Sequence, residues 1–302
     1  MKEFRGYMMI MLAAVLWGLS ATAAKFLLNH QVGTLLIVQT RVTFSCLIMF
    51  FVYLVFAPRH LRVRPADLWR FGLLGIAGMA GANFTYYFTI KESTVATAIL
   101  IQYTAPIFVL AYETIQKEEK FTTVKLIAAL LSLLGCFLAV GGYDASRLNI
   151  TPLGLISGIG SIFCFAFLTV YPRHLLVRYS TWTVIFYSLV GASVFWLFVN
   201  PPWVLVGAGP AVDVWGALVV LAVGSVLIPH TSYFGGLRHV VPSRAIITST
   251  LEPVVAIISA AFFLGEFLEA VQAVGAVLVL AAIVVLQVRR EPGELEGEHA
   301  SE

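Results

Sequence analysis

The sequence predicts an all-α integral membrane protein that crosses the bilayer about ten times. The chain of 302 residues is 60% hydrophobic and only 12% charged, whereas soluble domains average about 25% charged residues. So few charges cannot cover the surface of a soluble protein of this length, so lipid is the expected solvent. The apolar runs are too long and uniform for the alternating strands of a membrane barrel, and this favours helices.

A helix needs about 20 apolar residues to span the hydrocarbon core. Ten segments meet this requirement, separated by short polar or proline-bearing breaks. They cover residues 6–28, 34–57, 68–90, 94–115, 122–142, 152–172, 181–199, 213–236, 244–264 and 270–288. The glutamate-rich residues 291–302 are predicted to form a disordered, solvated tail.

The placement of basic residues predicts the orientation. With the N-terminus in the cytoplasm, fifteen of the nineteen Lys and Arg residues fall on that side. They are Lys2, Arg5, Arg59, Arg62, Arg64, Arg70, Lys117, Lys120, Lys125, Arg173, Arg178, Arg238, Arg244, Arg289 and Arg290. Lys25, Lys91 and Arg147 fall on the outer side, and Arg41 lies inside the second segment. Both termini are therefore predicted to be cytoplasmic.

The two halves of the chain share a pattern of informative residues. Residues 84–141 align without a gap on residues 231–288, and the spacing, not the residue identity, indicates a repeat. The aligned pairs are Lys91 with Arg238, Pro106 with Pro253, Glu119 with Glu266 and Tyr86 with Tyr233. Each half holds five segments, an odd number, so the second copy is expected to be inverted. The predicted units are residues 1–146 and 147–290, and inverted repeats are typical of secondary transporters.

Short motifs add a family resemblance that covers the whole chain. They are Leu16-Trp17-Gly18-Leu19-Ser20, Arg41, Gln102-Tyr103-Thr104-Ala105-Pro106, Leu251-Glu252-Pro253 and Phe263-Leu264-Gly265-Glu266. In this order they resemble an EamA-type transporter of the drug/metabolite transporter superfamily, although the first-half counterpart, Lys117-Glu118-Glu119, lacks the glycine. The resemblance implies two inverted five-helix repeats in a plasma membrane, the inner membrane of a bacterium. It also implies a secondary transporter, an exporter of amino acids or related metabolites, with alternating access around a central cavity.

Glu252 is the most informative side chain, because an ionisable group near mid-membrane is costly and usually functional. It is a candidate for proton or cation coupling, or for contact with a substrate amine. The alternative is a structural carboxylate paired within the bundle. Pro253 follows it, and Pro253 and its repeat partner Pro106 are candidate hinges, because proline frees a backbone carbonyl one turn earlier.

Arg41 is a candidate for binding a substrate carboxylate. The interpretation we favour for it is structural: its guanidinium snorkels toward the outer headgroups or pairs within the bundle. Other candidate substrate contacts are uncharged polar or aromatic residues of the first, third, fourth, eighth and ninth segments. They are Trp17, Ser20, Tyr86, Gln102, Tyr103, Tyr233 and Thr248. Such groups also join helices or sit at membrane interfaces, and that alternative stays open for each. His230 is interpreted as a structural histidine.

Two further observations limit the function. No Walker-type Gly-Lys-Ser/Thr motif occurs, so ATP-driven pumping is not supported, and no His-Glu-x-x-His motif occurs, so zinc-dependent hydrolysis is not supported. No cofactor or metal is expected. A passive channel and a membrane-embedded enzyme remain alternatives. The expected partners are a small solute and the lipid bilayer, with a proton or cation for coupling; no nucleic acid is expected, and a homodimer is left open.

The stripe of Gly72, Gly75, Gly78 and Gly81 predicts close helix packing.

Overall fold

The computed structural model describes residues 2–29, 32–117, 121–144, 150–201, 203–204, 212–265 and 269–288. Helices form all the regular structure of these residues. The α-helices are α1 (Lys2–Asn29), α2 (Thr34–Phe56), α3 (Leu68–Leu73), α4 (Gly81–Lys91), α5 (Val95–Gln102), α6 (Ala105–Ile115), α7 (Thr123–Ala139), α8 (Pro152–Val170), α9 (Pro172–Leu176), α10 (Thr181–Val199), α11 (Val212–Ala222), α12 (Ile228–Gly236), α13 (Pro242–Ser249), α14 (Leu251–Leu264) and α15 (Ala270–Val288). Glu119, Glu266, Arg147 and the predicted acidic tail lie outside the described residues.

Eight helical stretches of the described chain are long and apolar enough to cross a membrane. Of the other two predicted segments, the fifth is a shorter apolar helix, Thr123–Ala139. The third, near 68–90, is helical from end to end, but Asn83, Thr85 and two tyrosines dilute its apolar character. The count of ten therefore stays a prediction. The outer surface suits lipid, since Phe56, Phe198 and Phe262 are 81–82% exposed.

Local sequence explains where several helices begin and where two of them break. Side-chain oxygens of Thr94, Thr122, Thr151 and Ser180 accept the backbone N–H three residues on, and so cap α5, α7, α8 and α10. The fourth predicted segment is divided at Tyr103 and Thr104, before Pro106. The ninth is divided at Thr250, before Pro253. Proline cannot donate the next helical hydrogen bond, so each break lies one turn before a proline.

The breaks occur at equivalent places in the two halves. The alignment of residues 84–141 on 231–288 places both ends of α5 on those of α13 and, extended back by a few residues, the start of α4 on that of α12. Both α4 and α12 also follow a widened, π-helical stretch, Leu74–Ala80 in the first half and Val223–Leu227 in the second. The repeat therefore extends to irregular features that the sequence alignment did not contain.

Helices of one half pack against helices of the other half. The first segment, α1, packs on α12 of the eighth, and α8 of the sixth packs on α4 of the third. The second segment packs on the seventh (α2 on α10), and the fifth on the tenth (α7 on α15). Exchanging the halves leaves this set of pairs unchanged, which is the pattern of a pseudo-two-fold axis through the bundle.

Glycines permit the closest helix crossings. A methyl group at Gly135 of α7 would lie 2.8 Å from the Gly275 carbonyl oxygen of α15. In the predicted glycine stripe, a methyl group at Gly75 would lie 2.9 Å from the Gly191 Cα of α10, and one at Gly81 would lie 3.0 Å from the Cys164 sulfur of α8. The prediction of close packing is confirmed for these two positions. At Gly78 the added group would lie 3.3 Å from the Leu168 Cδ1 of α8, whereas at Gly72 it would meet nothing within 4 Å.

Candidate functional site

A cavity of about 430 Å³ lies between the two halves. It extends from the middle of the bundle to the end at which α1 stops, where Lys25, Thr34 and Gln272 line it. Its wall joins polar groups to apolar ones such as Ile99, Phe165 and Leu168. Binding pockets for small molecules usually have volumes of about 300–1,000 Å³ and this mixed lining, so the central cavity suits one small solute.

Glu252 lies in this cavity, at the place where the two helix breaks meet. Tyr103, between α5 and α6, donates its hydroxyl proton to Glu252 Oε2 over 2.7 Å. The same hydroxyl lies 3.4 Å from the Ser249 carbonyl oxygen, which is the oxygen that Pro253 leaves without its helical donor. The proline thus supplies part of the polar environment of the carboxylate, as the sequence predicted for its freed carbonyl.

Arg41 lines the same cavity from α2. Its Nη1 donates to the Tyr87 hydroxyl over 3.0 Å, and its Nη2 donates to Asn83 Oδ1 over 3.2 Å. Asn83 is itself fixed, because its Nδ2 donates to the Met79 carbonyl over 2.7 Å. Arg41 as a whole is only 8% exposed, and its buried Nε has no hydrogen-bond partner. The side chain is therefore held inside the bundle rather than extended to the headgroups.

Aromatic rings form the floor of the cavity. Trp17 contacts His230 edge to face, with centroids 5.1 Å apart, and Tyr233 at 5.3 Å. His230 Nδ1 lies 3.0 Å from the Val226 carbonyl, and because a carbonyl only accepts, Nδ1 is the donor of this hydrogen bond. Ser20 donates to the Leu16 carbonyl of its own helix over 2.5 Å.

Most of the residues predicted from the sequence meet in the cavity. Those lining it are Trp17, Ser20, Arg41, Tyr86, Gln102, Tyr103, Glu252 and Pro253. Three predicted residues do not line it. Tyr233 is fully buried below the floor, where its hydroxyl lies 3.0 Å from that of Thr169. Thr248 is fully buried and donates to the Arg244 carbonyl over 2.7 Å, and Pro106 is buried at the start of α6.

Asn83, Tyr87 and His230 belong to the polar and aromatic residues of the third and eighth segments but are not selected as substrate contacts from the sequence, and all three line the cavity. Helical periodicity could have found the first two. Asn83, Tyr86, Tyr87 and Ile90 follow the i, i+3, i+4, i+7 spacing of one helix face, and all four line the cavity. Among the described residues, no group of three or more His, Cys, Asp or Glu side chains is arranged to hold a metal ion.

Comparison with known proteins agrees with this architecture. The model of the EamA-like transporter family matches residues 4–141 and again residues 152–288. The chain belongs to the EamA-like transporter family. It therefore contains two copies of the family unit, and the resemblance inferred from the short motifs is confirmed.

Relatives and a solved structure cover most of the chain. The uncharacterized inner membrane transporter YicL of Salmonella typhimurium is 25% identical over 93% of this chain and 95% of its own length. An uncharacterized transporter of Archaeoglobus fulgidus is 30% identical over 91% and 94%. The threonine/homoserine exporter RhtA of Escherichia coli K12 is 28% identical over 76% of each chain. A crystal structure, 20% identical, shares the fold with a TM-score of 0.77 over 94% of this chain and 96% of the other.

Proposed function

We propose that this EamA family member is a secondary transporter of α-amino acids or closely related zwitterions. The observation that carries the proposal is that two groups able to carry opposite charge, the buried Arg41 and the half-buried Glu252, line one small cavity. A guanidinium binds a carboxylate through paired hydrogen bonds, and a carboxylate neutralises an ammonium group. The exporter RhtA, named for threonine and homoserine, supports this substrate class.

Each charged group is held in a way that suits a ligand at its free side. Tyr87 and Asn83 each accept one hydrogen bond from a terminal nitrogen of Arg41, and each of these two nitrogens carries a second N–H. Tyr103 occupies Oε2 of Glu252. The apolar part of the wall, including Ile99 and Phe165, suits a short aliphatic side chain. Glu252 is also the proposed coupling group, since a carboxylate that exchanges a proton for an ammonium group links the two fluxes.

The proposed mechanism is alternating access, with ten crossings and an inverted second half. The cavity reaches only the end at which α1 stops, and the exchange of helix pairs between the halves supports two related conformations. Export from the cytoplasm across a bacterial inner membrane is the proposed direction. The basic end of the molecule is the proposed cytoplasmic side, because Lys and Arg residues concentrate on that side of membrane proteins. Arg5, Arg238 and Lys2 lie close together at this end, where partial burial and their charges lower the pKa of His239.

Counterflow in proteoliposomes tests the function. Vesicles loaded with unlabelled L-threonine or L-homoserine should accumulate the labelled compound transiently, and a proton gradient should change the rate. Propionate, which lacks the amine, and isopropylamine, which lacks the carboxylate, should fail to drive exchange. Equilibration without counterflow would identify a passive channel, and exchange driven equally by either single-charge compound would contradict the zwitterion site.

A further inference from the structure

The central cavity is closed toward the end at which α1 begins. Below its floor lies a sealing layer of Ile10, Thr169, Tyr233 and Phe234, each with 0% exposure. Glycines of α12 tighten this end, because a methyl group at Gly236 would lie 2.5 Å from Ile10 Cγ1. Only a rearrangement of these helices can open a path from the cavity to this end.

The repeat identifies which residues would line that path. Under the alignment of the two halves, residues of the open cavity fall on residues of the sealed end. Tyr86 falls on Tyr233, Tyr87 on Phe234, Gln102 on Ser249, Ala260 on Glu113 and Gln272 on Lys125. The first member of every pair lines the cavity. Tyr86, Tyr87 and Gln102 belong to the first half and fall on residues of the second, whereas Ala260 and Gln272 belong to the second half and fall on residues of the first. All five counterparts are buried, at 0–2% exposure.

The two sets differ in charge. The uncharged Ala260 and Gln272 line the open cavity, whereas a carboxylate and an ammonium group, Glu113 and Lys125, occupy the equivalent places at the sealed end. They lie on α6 and α7, which pack on each other. Burying charges of both signs is costly unless each is neutralised locally. Local contacts that neutralise such charges only while this end is closed therefore favour the closed arrangement, and removing one of the charged groups weakens that preference.

Glu113 is also joined to the helix that leads to the central site. Its Oε2 accepts the Ser243 backbone N–H over 3.0 Å, at the N-terminus of α13, where a negative charge is favourable. The last residue of α13 is Ser249, whose carbonyl lies 3.4 Å from the Tyr103 hydroxyl that donates to Glu252. One short helix thus connects Glu113 to the carboxylate that is proposed to bind the substrate.

We propose that Glu113 and Lys125 form a charged lock that keeps a second vestibule shut at the end where α1 begins. The vestibule is the symmetry counterpart of the open cavity, lined by Tyr233, Ser249 and the two lock residues. This inference rests on the proposed alternating access. A substrate that displaces Tyr103 from Glu252 acts through α13 on the lock, so that occupancy of the site and opening of the sealed end are coupled.

Thiol labelling from both sides of the membrane tests the lock. In a variant without Cys46, Cys136 and Cys164, the three free cysteines among the described residues, single cysteines are placed at Ala21 in the open cavity and Thr169 in the sealing layer. A membrane-impermeant maleimide should label Ala21→Cys from one side and leave Thr169→Cys unlabelled. Adding Glu113→Gln should raise labelling of Thr169→Cys from the opposite side by about five- to tenfold and lower that of Ala21→Cys.

Two further variants test the lock without relying on Glu113→Gln. Lys125→Gln should give the same shift, and it keeps the test in place if Glu113→Gln does not yield a monodisperse protein. Transplanting the lock with Ala260→Glu and Gln272→Lys should lower labelling of Ala21→Cys, because the charges then favour closure of the open end.

Unchanged labelling of Thr169→Cys in both single lock variants, in monodisperse protein, would overturn the lock. The counterflow assay is carried out on the protein with Glu113 and Lys125 unchanged, so it tests the proposed transport function separately from the labelling test of the lock. Counterflow without a labelling shift removes the lock alone. A labelling shift without amino acid counterflow keeps the lock and removes the proposed substrate.

Discussion

Single residues decide what the cavity can recognise, and the contrast between Glu252 and Arg41 is the main feature at this scale. Glu252 retains one carboxylate oxygen beyond the Tyr103 hydrogen bond. Arg41 is clamped by two neutral acceptors rather than by an acid. Neither charge is hydrogen-bonded to the other among the described contacts, which leaves each available to a ligand group of opposite sign.

Glu252→Gln should weaken binding of an amino acid by about 2 kcal/mol or more, because the ammonium group loses its counter-charge in a buried site. Binding of propionate, which has no amine, should change little. Calorimetry on purified protein measures both. Glu92→Gln is the matched control, since Glu92 lies in the loop after α4 and does not line the cavity. Equal losses for both ligands would contradict a specific amine contact.

Arg41→Lys should reduce affinity for the amino acid about tenfold although the positive charge is kept. A lysine ammonium group cannot hold the Tyr87 and Asn83 contacts and also present a planar pair of donors to a carboxylate. Isopropylamine should bind the variant and the parent equally. Full retention of amino acid affinity in Arg41→Lys would assign Arg41 a structural role, which is the alternative that the sequence favoured.

Prediction of the cavity lining is strongest where a residue type is rare in its surroundings. Glu252 and Arg41 stand out in apolar segments, and the proline next to Glu252 marks the break that brings Tyr103 to it. It was weaker for Thr248 and Tyr233, because polarity alone does not tell which face of a helix turns toward a cavity. His230, interpreted as structural from the sequence, makes its backbone hydrogen bond through Nδ1 and also lines the cavity, because the two contacts are compatible with each other.

Among the helices, the crossing of α7 and α15 joins the last segments of the two halves. Gln272 Nε2 donates to the Ala139 carbonyl over 3.0 Å near one end of the crossing. Leu286 packs with Ala128 and Ala129 near the other. The two helices are therefore antiparallel, and their closest approach depends on Gly135 and Gly275.

Gly275→Val should destabilise this crossing by about 1–3 kcal/mol, because the added groups overpack a close backbone contact. A Cβ at Gly275 would lie 2.6 Å from the Gly135 carbonyl oxygen and 2.8 Å from Leu138 Cβ. Thermal unfolding in detergent measures the loss. Gly216→Val on α11 is the matched control, since nothing lies within 4 Å of an added Cβ there and stability should be unchanged. A melting temperature equal to that of the control would refute the tight crossing.

Element boundaries followed from the sequence where local chemistry sets them. Ser and Thr caps and the two prolines mark helix starts and breaks that a reader of the sequence can locate. The π-helical stretches Leu74–Ala80 and Val223–Leu227 carry no such marker in common. Glycines lie within both stretches but at positions that the alignment does not pair, and Pro229 follows only the second, so equivalent distortions arise from different residue patterns.

The whole molecule is organised by the repeat, which the sequence indicated through a few spaced residues. The aligned pairs that indicate it include Glu119 and Glu266, which lie outside the described residues. The family matches, the common helix breaks and the exchanged packing carry the repeat instead. The pairing of helices across the halves could not be read from the sequence, because apolar segments of similar composition offer many equivalent partners.

Both termini are expected on the cytoplasmic side. α1 begins at the sealed end, where Arg244 contacts Glu3. Leu286 near the end of α15 packs with Ile247 of α13, the helix that carries Arg244. Cysteines at Lys2 and Ser301, each in a cysteine-free chain, should react with an impermeant maleimide in inside-out vesicles and not in right-side-out vesicles. Labelling of the two positions from different sides would require an odd number of crossings and exclude the proposed topology.

The aromatic floor of the cavity has a consequence for measurement. The protein has six tryptophans, and among the described residues Trp17 is the indole that lines the cavity. Its emission should therefore report ligand arrival, while the other indoles supply a constant background that a Trp17→Phe variant leaves behind. The contact that closes the floor thus gives the protein an intrinsic optical probe, with which unlabelled compounds can be screened at equilibrium before any flux is measured.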